Sequence, residues 1–326
     1  MKTSRTLSRI AVLALTLALT IPCTAWAAAP KGGSLGTATV GGTFYTWAGP
    51  WSRIVSEAIP GYSLNVEVTG GPVHNVKLVH TNDLEYGLCS MPAAYDGYHG
   101  LDWANGVKYT NIRTLFPMYP SFATFWALEK TGIKNIRDLD GKIFAPGPKG
   151  GTPDTYYRQM LQLLGIKPAK IVNSGFSDLV GQMSDGMIDA AAGSGGEPFG
   201  PAMESDAGQT VNILDITDAD MKLFVEKFPS WYIGERKPGG YKTFTVAKPA
   251  LQYWNIYITN NKLPEDIGYA ITKAFFENKQ KFQSVYAPTV ETIAADILRS
   301  PIPVHKGAAR YYKEQGVDIP ANLIVD

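Results

Sequence analysis

Apolar positions recur at helical spacing over residues 44–58, where Phe44, Trp47, Trp51, Ile54, Val55 and Ala58 predict an amphipathic helix closed by Pro60-Gly61. The residues before it, 36–45 with the sequence GTATVGGTFY, read as a short strand, a Gly41-Gly42 turn and a helix beginning at Thr43. Residues 62–68 alternate as a strand, Gly70-Gly71-Pro72 opens a second helix, and 84–89 is a short apolar run followed by Ser90 as a candidate N-cap. Repeated strand–turn–helix units imply a parallel sheet flanked by helices, with the turns gathered at the carboxyl ends of the strands, where ligands bind.

From residue 112 the pattern changes. LFPMYPSFATFWALE sets two prolines between apolar runs and predicts strands that cross from one lobe to the next. A strand at 142–145, the turn GPKGGTPDT and a helix at 153–164 then repeat the opening pattern. A strand at 171–172, a helix at 176–184, a strand at 187–192 and a helix at 218–228 extend this second α/β lobe, and 231–241 reads as a loop. An apolar strand at 251–259 returns the chain to the first lobe. Helices are predicted at 264–278, 280–286, 290–298 and 305–315. The expected domains are therefore a signal peptide at 1–27, lobe I at 34–120 plus 251–326, and lobe II at 121–250.

The leader reading rests on Lys2, Arg5 and Arg9, an apolar core at 10–21 and Ala25-Trp26-Ala27 as a cleavage site. A signal-anchor and lipidation at Cys23 are the alternatives, but the apolar run is short of ~20 residues and Ile21-Pro22 are not the small residues a lipid attachment site wants. The expected location is the periplasm. After cleavage only Cys89 remains, so no internal disulfide forms and burial must stabilise the fold. The formal charge of +1, without blocks of like charge, lacks the field that nucleic acid would need.

Glycine turns that open helices are anion sites by construction, because the first backbone N–H groups are unpaired and the helix dipole favours negative charge there. Gly41 to Thr43 and Gly150-Gly151-Thr152 are such turns, one per lobe, although Asp154 competes for the second. Neither has the spacing of a nucleotide-binding P-loop. The four histidines show no metal-ligand spacing, so no metal or other cofactor is expected. Ala192 to Gly196, AGSGG, follows a strand, and an α/β hydrolase using Ser194 with His305 as base is an alternative reading. Tyr45 and Tyr232 sit at element ends and offer hydroxyls to a ligand.

The motifs GTATVGGTFYTWA, TGGPVHNVKLV, YGLCSMPAAYDGYHG, LFPMYP, DLDGKIFAPGPKGGT, MIDAAAGSGGEPF and PIPVHKGAARYYKEQGV, in that order over residues 36–317, resemble the TAXI-type solute receptors of TRAP transporters. The resemblance implies a two-lobed periplasmic-binding-protein fold of type II-like architecture, each lobe a mixed sheet flanked by helices, with the ligand in the interlobe cleft. It also implies a receptor and not an enzyme, delivering a small carboxylate such as glutamate or a 2-oxoacid to membrane permease subunits driven by an ion gradient. A periplasmic sensor presenting its ligand to a signalling protein is a further alternative. Position by position, the resemblance marks Gly42, Thr43 and Tyr45, then Asn75, Ser90 and Met91, then Gly150, Gly151 and Thr152, and the loop carrying Ser194, Gly195, Glu197 and Pro198. Two departures bear on the ligand. Ser90-Met91-Pro92 stands where related sequences read Gln-Ser-Asp, and RKPGGY at 236–241 replaces Ile-Pro-x-Gly-Thr-Tyr. Glu197 is then the nearest partner for an ammonium group, and the balance shifts from glutamate towards a carboxylate with a less polar body.

Overall fold

The computed structural model describes residues 32–325; the leader and its cleavage site lie outside the described residues. The chain opens with β1 (Gly32–Gly36), α1 (Thr43–Ala58), β2 (Ser63–Glu67), α2 (Pro72–Thr81), β3 (Tyr86–Ser90) and α3 (Met91–His99). β1 pairs in parallel with both β2 and β3, each parallel neighbour being reached through a helical crossover. Helix α1 buries Trp47, Trp51, Ile54 and Val55 of the predicted stripe, and Ala48 beside them, while Phe44 is half-buried and Ala58 exposed. Trp47 stacks on Phe282 with ring centroids 4.8 Å apart, which ties this helix to the C-terminal part of the chain.

Two long strands organise the rest. β4 (Ile112–Leu128) is one continuous strand of 17 residues through both prolines, and β10 (Lys248–Asn260) runs antiparallel beside it. Their ladder shifts register twice, between Asn255 and Ile256 and between Tyr257 and Ile258. Such bulges increase twist and let one pair of strands serve two differently oriented halves. Between them come β5 (Ile143–Ala145), α4 (Thr152–Leu163), β6 (Lys170–Ile171), α5 (Phe176–Ser184), β7 (Ala190–Gly195), α6 (Gly200–Gly208), β8 (Val211–Ile213), α7 (Asp218–Lys227) and β9 (Tyr232–Arg236). Helices α8 (Glu265–Asn278) and α9 (Lys306–Glu314) follow β10. The sheet order is β2-β1-β3-β10-β4-β7-β5-β6, with β8 on β4 and β9 on β10.

The apolar core separates into clusters that do not mix the two halves. One, around Trp47, Trp51, Phe116, Tyr257 and Phe275, and another, around Val76, Val79, Ile256 and Ile258, cover opposite faces of the first half. The second half has its own pair, around Phe125, Tyr157 and Tyr253 on one face and Trp126, Phe176 and Phe199 on the other. Neighbouring Phe125 and Trp126 point to opposite faces because side chains alternate along a strand.

Several expected elements differ. The strand expected before the Gly41-Gly42 turn lies earlier, at Gly32–Gly36, and residues 37–40 are irregular. The segment 231–241 is not all loop: Tyr232–Arg236 forms β9 on the edge of β10, and only the following Lys-Pro-Gly-Gly stays irregular. Its strand character was masked because Gly234 and the charged Glu235 and Arg236 carry no apolar alternation. The segments expected as helices over 280–286 and 290–298 are short 3₁₀ turns, Lys279–Phe282, Ala287–Glu291 and Ala294–Arg299. Non-helical backbone at Tyr286, extended backbone at Thr292 and Ile293, and the intervening Pro288 prevent a continuous helix.

Candidate functional site

A cavity of about 60 Å³ lies between the halves, walled by the starts of α1, α2 and α4 and floored by the crossing strands. Helix α1 has Gly42 as N-cap, α2 has Gly71, α4 has Gly151, and none of the three is capped by a side chain. The first turns of α1 and α2 contain no acidic residue. The N–H groups of Thr43 and Phe44 in α1, and of Val73 and His74 in α2 after the N–H-less Pro72, therefore have no intrahelical partner, and a helix start of this kind stabilises an anion. In α4, Asp154 is already engaged: its Oδ2 accepts from the Gly150 N–H at 3.1 Å and its Oδ1 pairs with Arg158 at 2.6 Å. Among the described residues no charged side chain lines the cavity.

The glycines meet at close quarters. Gly71 (φ +94°) and Gly150 (φ +80°) both adopt the left-handed region, and a Cβ on Gly150 would lie 3.0 Å from the Gly70 carbonyl oxygen. The two glycine turns thus touch backbone to backbone across the cleft, a contact only residues without side chains permit. Beside them the Thr152 hydroxyl donates to Ser90 Oγ at 2.8 Å, and both residues are buried.

The floor is a set of hydroxyls on the crossing strands. Tyr253 donates to Ser194 Oγ at 2.5 Å, and Asn255 Nδ2 donates to Ser121 Oγ at 2.6 Å and to the Tyr119 carbonyl at 3.1 Å. Burial pushes the Tyr253 hydroxyl up to about 12 and that of Tyr119 well above the usual tyrosine range, so both stay protonated at neutral pH. Phe44, Pro72, Pro148 and Phe176 supply apolar wall.

Of the residues marked in the sequence, Gly42, Thr43, Gly151, Thr152 and Ser194 line this cavity. Ser90 supports it through Thr152, Gly150 through its contact with Gly70, and Gly195 through its approach to Thr43. The others are placed elsewhere. Asn75 is a buried structural clamp whose Nδ2 donates to the carbonyls of Gly36, Thr37 and Leu88. Tyr45 turns outward at 38% exposure. Met91 and Tyr232 line a separate groove with Trp231 and Trp254. Glu197 does not reach the cleft as a partner for an ammonium group. It pairs with Arg236 at 2.9 Å and accepts from Thr124 at 2.8 Å and Tyr241 at 2.7 Å, because a buried carboxylate takes the nearest buried cation. Pro198 follows it outside the cavity.

Ser194 and His305 do not meet. His305 caps α9, its Nδ1 accepting from the Gly307 N–H at 3.2 Å and its Nε2 facing the Leu263 carbonyl at 2.9 Å. Among the described residues no group of His, Cys, Asp and Glu is arranged to hold a metal ion, and no helix is long and apolar enough to cross a membrane. Sequence reasoning missed Tyr119, Ser121, Tyr253 and Asn255. Their signal was the presence of polar atoms inside otherwise apolar strands, which reads as ordinary strand composition until the partner strand is known.

Two mixed α/β halves joined by crossing strands, with helix starts converging on the cleft, define the periplasmic-binding-protein fold. The chain is similar to MatC from Rhodopseudomonas palustris with bound malate, at a TM-score of 0.54 and 12% identity over 86% of this chain and 95% of that one. It is also similar to the periplasmic binding protein BugD, at a TM-score of 0.50 and 13% identity over 89% of this chain and 100% of that one. At these identities the likeness is one of fold. The NMT1-like family model matches residues 35–316, and the chain belongs to the NMT1-like family.

Proposed function

We propose that this chain is an extracytoplasmic solute receptor that captures a small organic acid between its lobes for a secondary, ion-gradient-driven permease of the TRAP type, as its TAXI-like motifs imply. The observation that carries the reading is the convergence of three helix starts without side-chain caps on a cleft lined, among the described residues, by no charged side chain. A buried carboxylate is tolerated only when its oxygens are hydrogen-bonded, and helix N–H groups supply those bonds without a counter-ion. The same neutral lining offers no counter-charge to an ammonium group, which favours a simple acid over an amino acid. We take lobe I as 34–120 plus 251–326 and lobe II as 121–250; the separate core clusters support two lobes, with Leu251 and Tyr253 at the start of the returning strand packing against the second. The basic and apolar leader at 1–27 supports export to the periplasm. The role is binding rather than catalysis, since Ser194 is bonded by Tyr253 and His305 serves as a helix cap.

The experiment is a thermal-shift and calorimetry screen of mono- and dicarboxylates, aromatic acids and amino acids. A ligand at one hundred times its Kd that binds only the folded protein adds about 2.7 kcal/mol of stability, a readily measured rise in Tm. Stabilisation by acids but not by amino acids is expected. Silence across the whole panel would refute the reading.

A further inference from the structure

Several buried side-chain polar atoms among the described residues have no hydrogen-bond partner, and only one, the hydroxyl of Tyr119, belongs to a residue that lines the cleft. Tyr119 is fully buried on β4. Its carbonyl is held by Asn255 at 3.1 Å and its ring packs on Tyr286 with centroids 4.5 Å apart, so the side chain has little freedom to seek a partner elsewhere. The neighbouring hydroxyls have other partners: Tyr253 donates to Ser194, Ser121 accepts from Asn255, and Tyr286 accepts from the Gly196 N–H. A buried hydroxyl left unpaired is costly, and a ligand group that pairs it recovers that cost on binding.

From this we infer that Tyr119 is a specificity-determining residue: its hydroxyl bonds a neutral polar substituent of the ligand, so the receptor selects a hydroxy-substituted carboxylic acid over the parent acid. The inference rests on the proposal that the cleft binds a carboxylate. The carboxylate itself does not need Tyr119. The unpaired N–H groups at the starts of α1, α2 and α4 already match or exceed the roughly four lone-pair sites of a carboxylate. A second charged group on the ligand would have no counter-charge, because among the described residues no charged side chain lines the cavity. A phenolic hydroxyl both donates and accepts, which suits the hydroxyl of a hydroxy acid in either orientation.

Calorimetry with two matched sets, butyrate against 2- and 3-hydroxybutyrate and phenylacetate against mandelate, tests this on the native protein and on Tyr119→Phe. In the native protein at least one hydroxy acid should bind about tenfold or more tightly than its parent, since a site built around a hydroxyl rejects the analogue lacking it. In Tyr119→Phe that ratio should fall to about twofold or less, with parent-acid affinity unchanged. Equal affinities for parent and hydroxy acids in the native protein would overturn the inference without any variant, while leaving the carboxylate reading in place. Parallel loss of both in a folded variant would show that Tyr119 holds the carboxylate instead and would equally overturn it. Binding of none of these acids to the native protein would overturn the carboxylate reading, and this inference with it.

Discussion

Thr152, the first residue of α4, donates its hydroxyl to Ser90, the last residue of β3, at 2.8 Å, and this bond joins the two halves of the protein directly beside the cleft. Both side chains are buried, so the bond exists only while the halves are together. It links the third turn of the first half to the glycine turn of the second. Thr152→Val keeps the shape and deletes the donor. Loss of about 1 kcal/mol of closure energy is expected, or roughly fivefold weaker binding of an acid ligand by calorimetry.

Gly42 precedes α1 with an extended φ of −80°, so a side chain there is not a backbone problem. A Cβ would lie 3.2 Å from the Thr39 carbonyl and 3.8 Å from Phe176, and branched atoms beyond it would crowd the approach to the helix start. Gly42→Val should weaken ligand binding by about tenfold or more, worth ~1.4 kcal/mol. Unchanged affinity by calorimetry would remove this turn from the site.

Gly150 differs, since its φ of +80° and the 3.0 Å approach of a Cβ to the Gly70 carbonyl make any side chain both strained and obstructive. Gly150→Ala is expected to cost about 1 kcal/mol or more in the closed form. A lower Tm together with weaker binding is the expected outcome. A variant that matches the native protein in both would show that the glycine contact is dispensable.

Glu197 and Arg236 form a buried ion pair away from the cleft, with Arg236 also bonding the Ala123 carbonyl at 2.9 Å. Removing one partner strands the other charge, so Glu197→Gln should destabilise by about 3 kcal/mol in urea unfolding. Acid affinity should be unaffected at temperatures where the variant is folded. A selective loss of binding would return Glu197 to the site.

Asp96 on α3 is buried and accepts from the Tyr156 hydroxyl of α4 across the two halves. Burial pushes its carboxyl up to about 7, the Tyr156 bond opposes that shift, and the Asp102 charge adds to it. The unfolded value is about 3.9, so between these limits the folded chain holds a proton that the unfolded chain releases. The stability from this group is complete below about pH 4 and is lost as pH rises towards 7. Urea unfolding should show the native protein losing more stability between pH 5 and pH 8 than Asp96→Asn does. Parallel profiles would refute the assignment.

How much of this was legible in the chain can be judged from particular residues. The stripe from Trp47 to Val55 gives α1 because helical period is a short-range property. Gly41-Gly42 and Gly150-Gly151 give turns that open helices because positive φ at Gly41 and Gly150 is a local demand that glycine meets at low cost. The 231–241 segment failed as a prediction for the converse reason. Its strand is stabilised by pairing with β10, and nothing in its own alternation records that partner.

The sequence alone determined two α/β halves, a glycine turn at a helix start in each, and the absence of any charge pattern suited to nucleic acid. Only the tertiary structure decided that β4 and β10 cross both halves as continuous strands, that Glu197 is taken by Arg236, and that Tyr119 stands unpaired on the cleft floor. The division has one physical cause. Period and backbone conformation are set by near neighbours, whereas the choice of partner for a buried polar group depends on which distant segments packing brings beside it.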